Sequence, residues 1–148
     1  MLEDFIKVNR LSAEIFRCSD AHTAAKASQF TGDAEAVAKS IVLVASDGQP
    51  VLVILLGNDK IDLQKIKAVL GVKDVRLATP NEVLEITGYE IGGVPPVSIY
   101  GIRTIMDNGV SEKQKVVCGG GDSGHLMRIK IREILDNVDE ISVHDVKR

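Results

Sequence analysis

A chain of 148 residues with 45% hydrophobic and 26% charged side chains is long enough to bury a core without disulfides or a structural metal. Aromatic residues make up only 3% and tryptophan is absent, so that core must be built from Val, Ile, Leu and Ala. A formal net charge of −3 argues against a protein that coats nucleic acid along its length, which needs a basic face, but leaves room for a small patch gripping one end. One domain over residues 1–148 is expected. Cys18 and Cys118 form no metal motif and no disulfide framework, which makes a reducing cytoplasm the simpler compartment. Residues 1–10 carry Glu3 and Asp4 and no long apolar run, unlike a secretory signal, and the longest apolar runs are too short to span a bilayer.

Leu2, Phe5 and Ile6 form a short apolar face that predicts a first helix over residues 2–10, followed by a strand over 13–18. Ser19-Asp20-Ala21-His22 reads as a turn, and residues 23–30, rich in Ala, Lys and Gln, as a helix ending at Thr31-Gly32. The aliphatic runs 37–45 and 51–56 flank Asp47-Gly48, a strong hairpin signal. Asp62 can cap a helix carrying Leu63, Ile66 and Leu70 on one face, with Gly71 closing it. A short strand over 75–77 precedes a helix through Ile86 that Thr79 caps and Pro80 opens. Strands are expected at 103–106, 115–118, 125–129 and 141–143, a flexible turn at 119–124, and a helix through Ile131, Ile134, Leu135 and Val138. Strands interleaved with helices predict a mixed α and β class (α+β) with a largely antiparallel or mixed sheet.

Residues 87–101 stand out. They hold four of the thirteen glycines, two of the four prolines and both tyrosines. Gly92-Gly93 can take backbone angles closed to other residues and leaves its N–H groups uncovered, while Pro95-Pro96 fixes two φ angles. A stiff loop with exposed donors follows; the plain alternative is a tight turn between two elements.

Lys39, near the head of an otherwise apolar strand, puts an ammonium at the rim of a core, where it either serves a site or simply reaches water. Gly121-Asp122-Ser123-Gly124 spells the tetrapeptide around the nucleophile of trypsin-like proteases, but the Gly-Pro continuation is missing and the chain is too short for two barrels. Gly119-Gly120-Gly121 could cradle a phosphate through its N–H groups, although no Gly-Lys-Ser/Thr follows. Cys118 ends the run Val116-Val117-Cys118 and reads as a buried small side chain rather than a thiol nucleophile. No pair among His22, His125 and Cys118 has a metal-ligand spacing, so neither metal nor cofactor is expected.

The ordered set Ser19-Asp20-Ala21-His22-Thr23-Ala24-Ala25, Ala38-Lys39-Ser40-Ile41-Val42, Thr79-Pro80-Asn81-Glu82-Val83 and residues 87–96 resembles the YbaK/ProX family of aminoacyl-tRNA deacylases. It is also similar to the editing domain inserted in bacterial prolyl-tRNA synthetases. The resemblance covers roughly residues 13–135. It implies a curved mixed sheet or barrel with flanking helices, and hydrolysis of an amino acid wrongly esterified to tRNA. Carried over, Lys39 matches the family's functional lysine, Gly92 to Pro96 its Gly-x-x-x-Pro loop, and Gly124-His125 the Gly-His of the synthetase-inserted domains. Lys130-Ile131 stand where the family usually has Ser/Thr-Pro.

Ester hydrolysis builds negative charge on the carbonyl oxygen, which fixed N–H donors stabilise without reorganising. Prolines cannot donate, which leaves Gly92, Gly93, Val94 or Val97. The expected catalytic set is thus Lys39, Gly92, Gly93 and Val94, with Pro96, His125, Gly121 and Arg103 binding substrate. Lys39, Arg103, Arg128 and Lys130 are candidates for a patch holding the tRNA acceptor end. The resemblance implies water as the attacker, positioned by the loop and by the substrate's own terminal ribose hydroxyl. The resemblance implies action in trans on a small amino acid such as Ala, Cys or Ser carried by tRNA-Pro, with a synthetase as a further partner. The alternative is a non-catalytic module that binds tRNA ends or a synthetase with the same pocket.

Overall fold

The computed structural model describes residues 1–17 and 37–148. The turn expected at 19–22, the helix at 23–30 and Cys18 lie outside the described residues. Helix α1 (Leu2–Val8) stops two residues before the predicted end, because Arg10 takes a φ of 53°. Strand β1 (Glu14–Arg17) follows. Strands β2 (Ala38–Ala45) and β3 (Pro50–Leu56) form the predicted hairpin. Its turn is made by Gly48 at φ 86° and by Asp47, whose side chain accepts from the Gln49 N–H at 3.0 Å.

Helix α2 (Leu63–Leu70) begins where Asp62 accepts from the N–H of Gln64 at 2.9 Å and ends at Gly71 in the left-handed conformation. Strand β4 (Val75–Leu77) leads into helix α3 (Pro80–Thr87), which opens with a reciprocal box. Thr79 Oγ1 accepts from the Glu82 N–H at 3.3 Å, and the Glu82 carboxylate accepts from the Thr79 N–H at 2.9 Å. Thr79→Ala should therefore cost about 1 kcal/mol in urea unfolding. Hydrogen bonds from Arg76, with the Thr79 N–H, hold the Glu82 carboxyl at about 2, below its ordinary 4.5. A depressed folded pKa means the contribution is complete above pH 4.5 and lost as pH falls through about 2. For a pair this exposed it is small.

Strand β5 (Arg103–Asp107) runs directly into a one-turn helix α4 (Asn108–Ser111) that the sequence did not announce. Strands β6 (Lys115–Gly119) and β7 (His125–Lys130), helix α5 (Ile131–Asn137) and strand β8 (Ile141–His144) complete the order. Asp107, fully buried, accepts from the N–H of Gly109 and Val146 at 2.9 Å each and from Lys147 Nζ at 3.0 Å, tying residues 145–148 to the end of β5.

Five strands form a mixed sheet in the order β4-β2-β3-β5-β8, with β5 parallel to both β3 and β8. Three strands form an antiparallel sheet β1-β7-β6. Among the described residues the strands do not close into a barrel; the two sheets meet at a single parallel bridge between Val37 and Val117. The large sheet is apolar on both faces, which explains the unbroken aliphatic runs of β2 and β3. Ala38, Val42, Leu52 and Ile54 face a core shared with Val94, Val97, Cys118 and Met127. Leu43, Val51, Val53 and Leu55 face a second core against Ile66 of α2. No described helix is long and apolar enough to cross a membrane.

Candidate active site

The Gly/Pro loop is a built structure rather than a bare turn. Gly88 ends α3 at φ 79°, and Gly92 takes φ 90°. Residues 93–98 are buried. Thr87 Oγ1 accepts from the Tyr89 N–H at 3.0 Å, and the buried Tyr89 hydroxyl meets Ser98 Oγ at 2.8 Å. This bond pins the two ends of the loop across Pro95 and Pro96. Ser98 pays for the closure with a φ of 67°, unusual for a residue with a side chain. Burial pushes the Tyr89 phenol pKa up, so it remains a neutral donor.

A second loop, expected to be a flexible turn, seats on the first. The Gly121 N–H donates to the Gly93 carbonyl at 2.9 Å, and the Gly120 N–H to the His125 carbonyl at 3.2 Å. A Cβ on Gly93 would stand 2.7 Å from the Asp122 carbonyl carbon, and one on Gly119 at 2.7 Å from that of Val94. Only glycine permits this approach. Gly92, Gly93, Val94, Gly121 and His125, predicted from separate motifs, thus come together.

One expectation needs correction here. The Gly93 N–H donates to the Glu90 carbonyl at 3.0 Å, so it closes a turn and leaves the donor set. Among the described residues no acceptor takes the N–H of Gly92, Val94 or Val97. Arg103 sits opposite Val51 on β3, whereas Lys39 sits opposite Leu55 on the other side of that strand. Four residues separate these positions, so a patch holding both cations must extend about 13 Å along the sheet. Arg128 and Lys130 lie on β7 in the other sheet, with Arg128 stacked over Phe16 at 5.2 Å.

Lys39 lies beside the bridge that joins the sheets. Strand alternation turns its side chain away from the core that Ala38 and Val42 enter, and its Nζ donates to the Gly57 carbonyl at 3.3 Å. Burial lowers its pKa; Asp59 opposes the shift and Lys60 adds to it. Its neighbour Ser40 takes the opposite face, toward the core containing Val94 and Val97. The Ser40 Oγ is buried and has no hydrogen-bond partner among the described residues. The motif contained Ser40, but only the strand's orientation singles it out.

His125 Nδ1 meets Asp122 Oδ1 at 2.7 Å, and the same oxygen accepts from the Gly124 N–H at 2.8 Å. These contacts hold the Asp122 carboxyl below its usual range. A residue three before a histidine in a glycine-rich turn was the available signal for Asp122. Cys118 is buried with its Sγ 3.5 Å from the Met127 carbonyl, and burial pushes its thiol pKa well above the ordinary 9.0. It is a core side chain, not a nucleophile. Among the described residues no cluster of His, Cys, Asp and Glu is arranged to hold a metal ion.

Comparison with known proteins bears on this arrangement. The model of the family described as "Aminoacyl-tRNA editing domain" matches residues 18–136. The chain is 37% identical over 114 residues to a proline–tRNA ligase of Halalkalibacterium halodurans, covering 76% of this chain and 20% of that protein. It is 30% identical over 108 residues to that of Thermosipho melanesiensis, covering 72% and 19%. The chain therefore spans about a fifth of the length of these ligases. Among solved structures, a hypothetical protein superposes with a TM-score of 0.91 at 29% identity over 99% of both chains. A candidate trans-editing enzyme for prolyl tRNA synthetase superposes at 0.80 with 30% identity, over 92% of this chain and 87% of that one. With its ordered motifs and its mixed-sheet fold, the chain belongs to the YbaK-like family of aminoacyl-tRNA editing domains.

Proposed function

We propose that this protein is an aminoacyl-tRNA deacylase that acts in trans, removing a small amino acid such as alanine, cysteine or serine from tRNA-Pro. The observation that carries the reading is the backbone-on-backbone seating of Gly93 and Val94 against Gly119 and Asp122, which holds the adjacent donors rigid. Water attacks the ester carbonyl carbon, charge builds on the carbonyl oxygen, and the N–H groups of Val94 and Gly92 receive it. The carbon–oxygen bond to the ribose then breaks, and the ribose oxygen takes the proton that water loses. Lys39 anchors the 3′-terminal phosphate, with one N–H on Gly57 and no other acceptor among the described residues. Pro96 walls the amino-acid pocket, while Gly121 and His125 border it.

Size is the basis of selection. A methylene discriminates by only about 1–3 kcal/mol, so a synthetase admits near-isosteres and a second, smaller sieve must remove them. The 30% identity to a candidate trans-editing enzyme and the ligase relatives support tRNA-Pro and action in trans. Such work belongs in the cytoplasm, with the tRNA acceptor end and a synthetase as partners.

Incubating the protein with Ala-, Cys-, Ser- and Pro-charged tRNA-Pro and following ester loss tests the reading. Release of a small non-cognate residue with Pro-tRNA spared is expected; binding of acceptor-stem RNA without turnover of any species would instead favour a non-catalytic module. Cys118→Ala should leave the release rate unchanged, and loss of activity in a folded variant would restore the thiol mechanism.

A further inference from the structure

A groove of about 510 Å³ opens on the far end of the Gly/Pro loop, between α1, residues 99–102 and the turn from α5 into β8. Its lining mixes apolar side chains such as Phe5, Val8 and Val138 with polar ones, and its charged members are all acidic. Val8 and Tyr100 are 79% and 75% exposed there, and the Tyr100 ring stands 6.3 Å from that of Phe5. Asp136, Asp139 and Glu140 line the groove, and among the described residues no Lys or Arg does. Arg132 approaches Asp136 at 3.8 Å, but among the described residues Asp139 and Glu140 have no ion-pair partner.

We infer that this groove docks a basic segment of a partner protein, an apolar side chain flanked by Lys or Arg. The volume accommodates a few side chains. Val8 and Phe5 supply an apolar seat, a cation can stack on the open face of Tyr100, and the lining carboxylates complete the charge match. The same carboxylates repel phosphates, so this face is turned to protein and not to RNA. The occupant would rest on residues 99–101, the end of the loop whose other half forms the proposed site. The inference itself does not depend on the proposed reaction.

The test titrates the 15N-labelled protein with a synthetic twelve-residue peptide carrying Leu and Phe between Lys and Arg residues. Saturable amide shifts confined to Val8, Tyr100, Asp139 and their neighbours are expected, weakened by added salt. The double variant Asp139→Lys, Glu140→Lys, altering only exposed side chains, should weaken binding at least about tenfold, the scale of one well-placed charge pair. Its unchanged deacylation would separate this surface from the site. Equal shifts from a peptide with Glu in place of Lys and Arg, undiminished binding by the variant, or the same amides responding to an acceptor-stem RNA hairpin would each overturn the inference.

Discussion

Lys39→Met is expected to lower release of amino acid from mischarged tRNA by about 10- to 100-fold, the loss of one charge-assisted hydrogen bond, while leaving the fold at least as stable. The second half of that expectation follows from the direction of the pKa shift. Burial disfavours the charged form of Lys39, which therefore sits in the folded protein at an energetic cost. Between its folded pKa and the ordinary 10.5, the unfolded chain binds more protons than the folded one, so stability rises with pH in that window. Methionine keeps the stem and removes the charge. Urea unfolding of wild type and variant across pH 7 to 10.5, beside single-turnover ester release, separates the two effects. Full activity in Lys39→Met would remove lysine from the proposed mechanism.

Gly119→Ala is expected to be more damaging than its single methyl group suggests. The position lies in a strand with no left-handed φ, so alanine meets no backbone penalty of its own. Its Cβ would instead stand 2.7 Å from the Val94 carbonyl carbon and 3.0 Å from that of Gly93, in the segment that presents the proposed donors. Forcing the loops apart should cost about 1–3 kcal/mol. Displacing one donor of an oxyanion site costs about 100- to 1000-fold in rate. Gly48→Ala is the contrasting control, since nothing lies within 4 Å of its Cβ and only the φ of 86° resists the change. A Gly119→Ala protein with wild-type ester release would show that the seated loops do not set the chemistry.

Several elements were legible because their signals are short in range. Asp47-Gly48, the Asp62 and Gly71 caps and the Thr79 to Glu82 box each act within four residues, where local hydrogen bonds outweigh tertiary context. The one-turn helix Asn108–Ser111 escaped because four residues hold no period, and it is nucleated by buried Asp107, whose other partners come from residues 146 and 147. Lys39 was found as a residue but not as a direction. Ile41, Val42, Leu43 and Val44 are all apolar, so the alternation that normally reveals a strand's inner face is absent where both faces are covered. The spacing of Lys39 from Arg103 was hidden for a related reason: the parallel pairing of β3 with β5 arises from a long crossover that no local motif records.

For residues 87–101, the stiffness, the places where prolines remove donors and the glycines that allow close approach are covalent properties of the residues and can be read from their order. Which N–H groups remain for a substrate depends on packing between distant segments. Gly93 gives its donor to Glu90 and its carbonyl to Gly121, and the loop that meets it comes from a hairpin nearly thirty residues further along the chain. Hydrogen-bond partners are a property of what is packed nearby, and chain order does not carry that information.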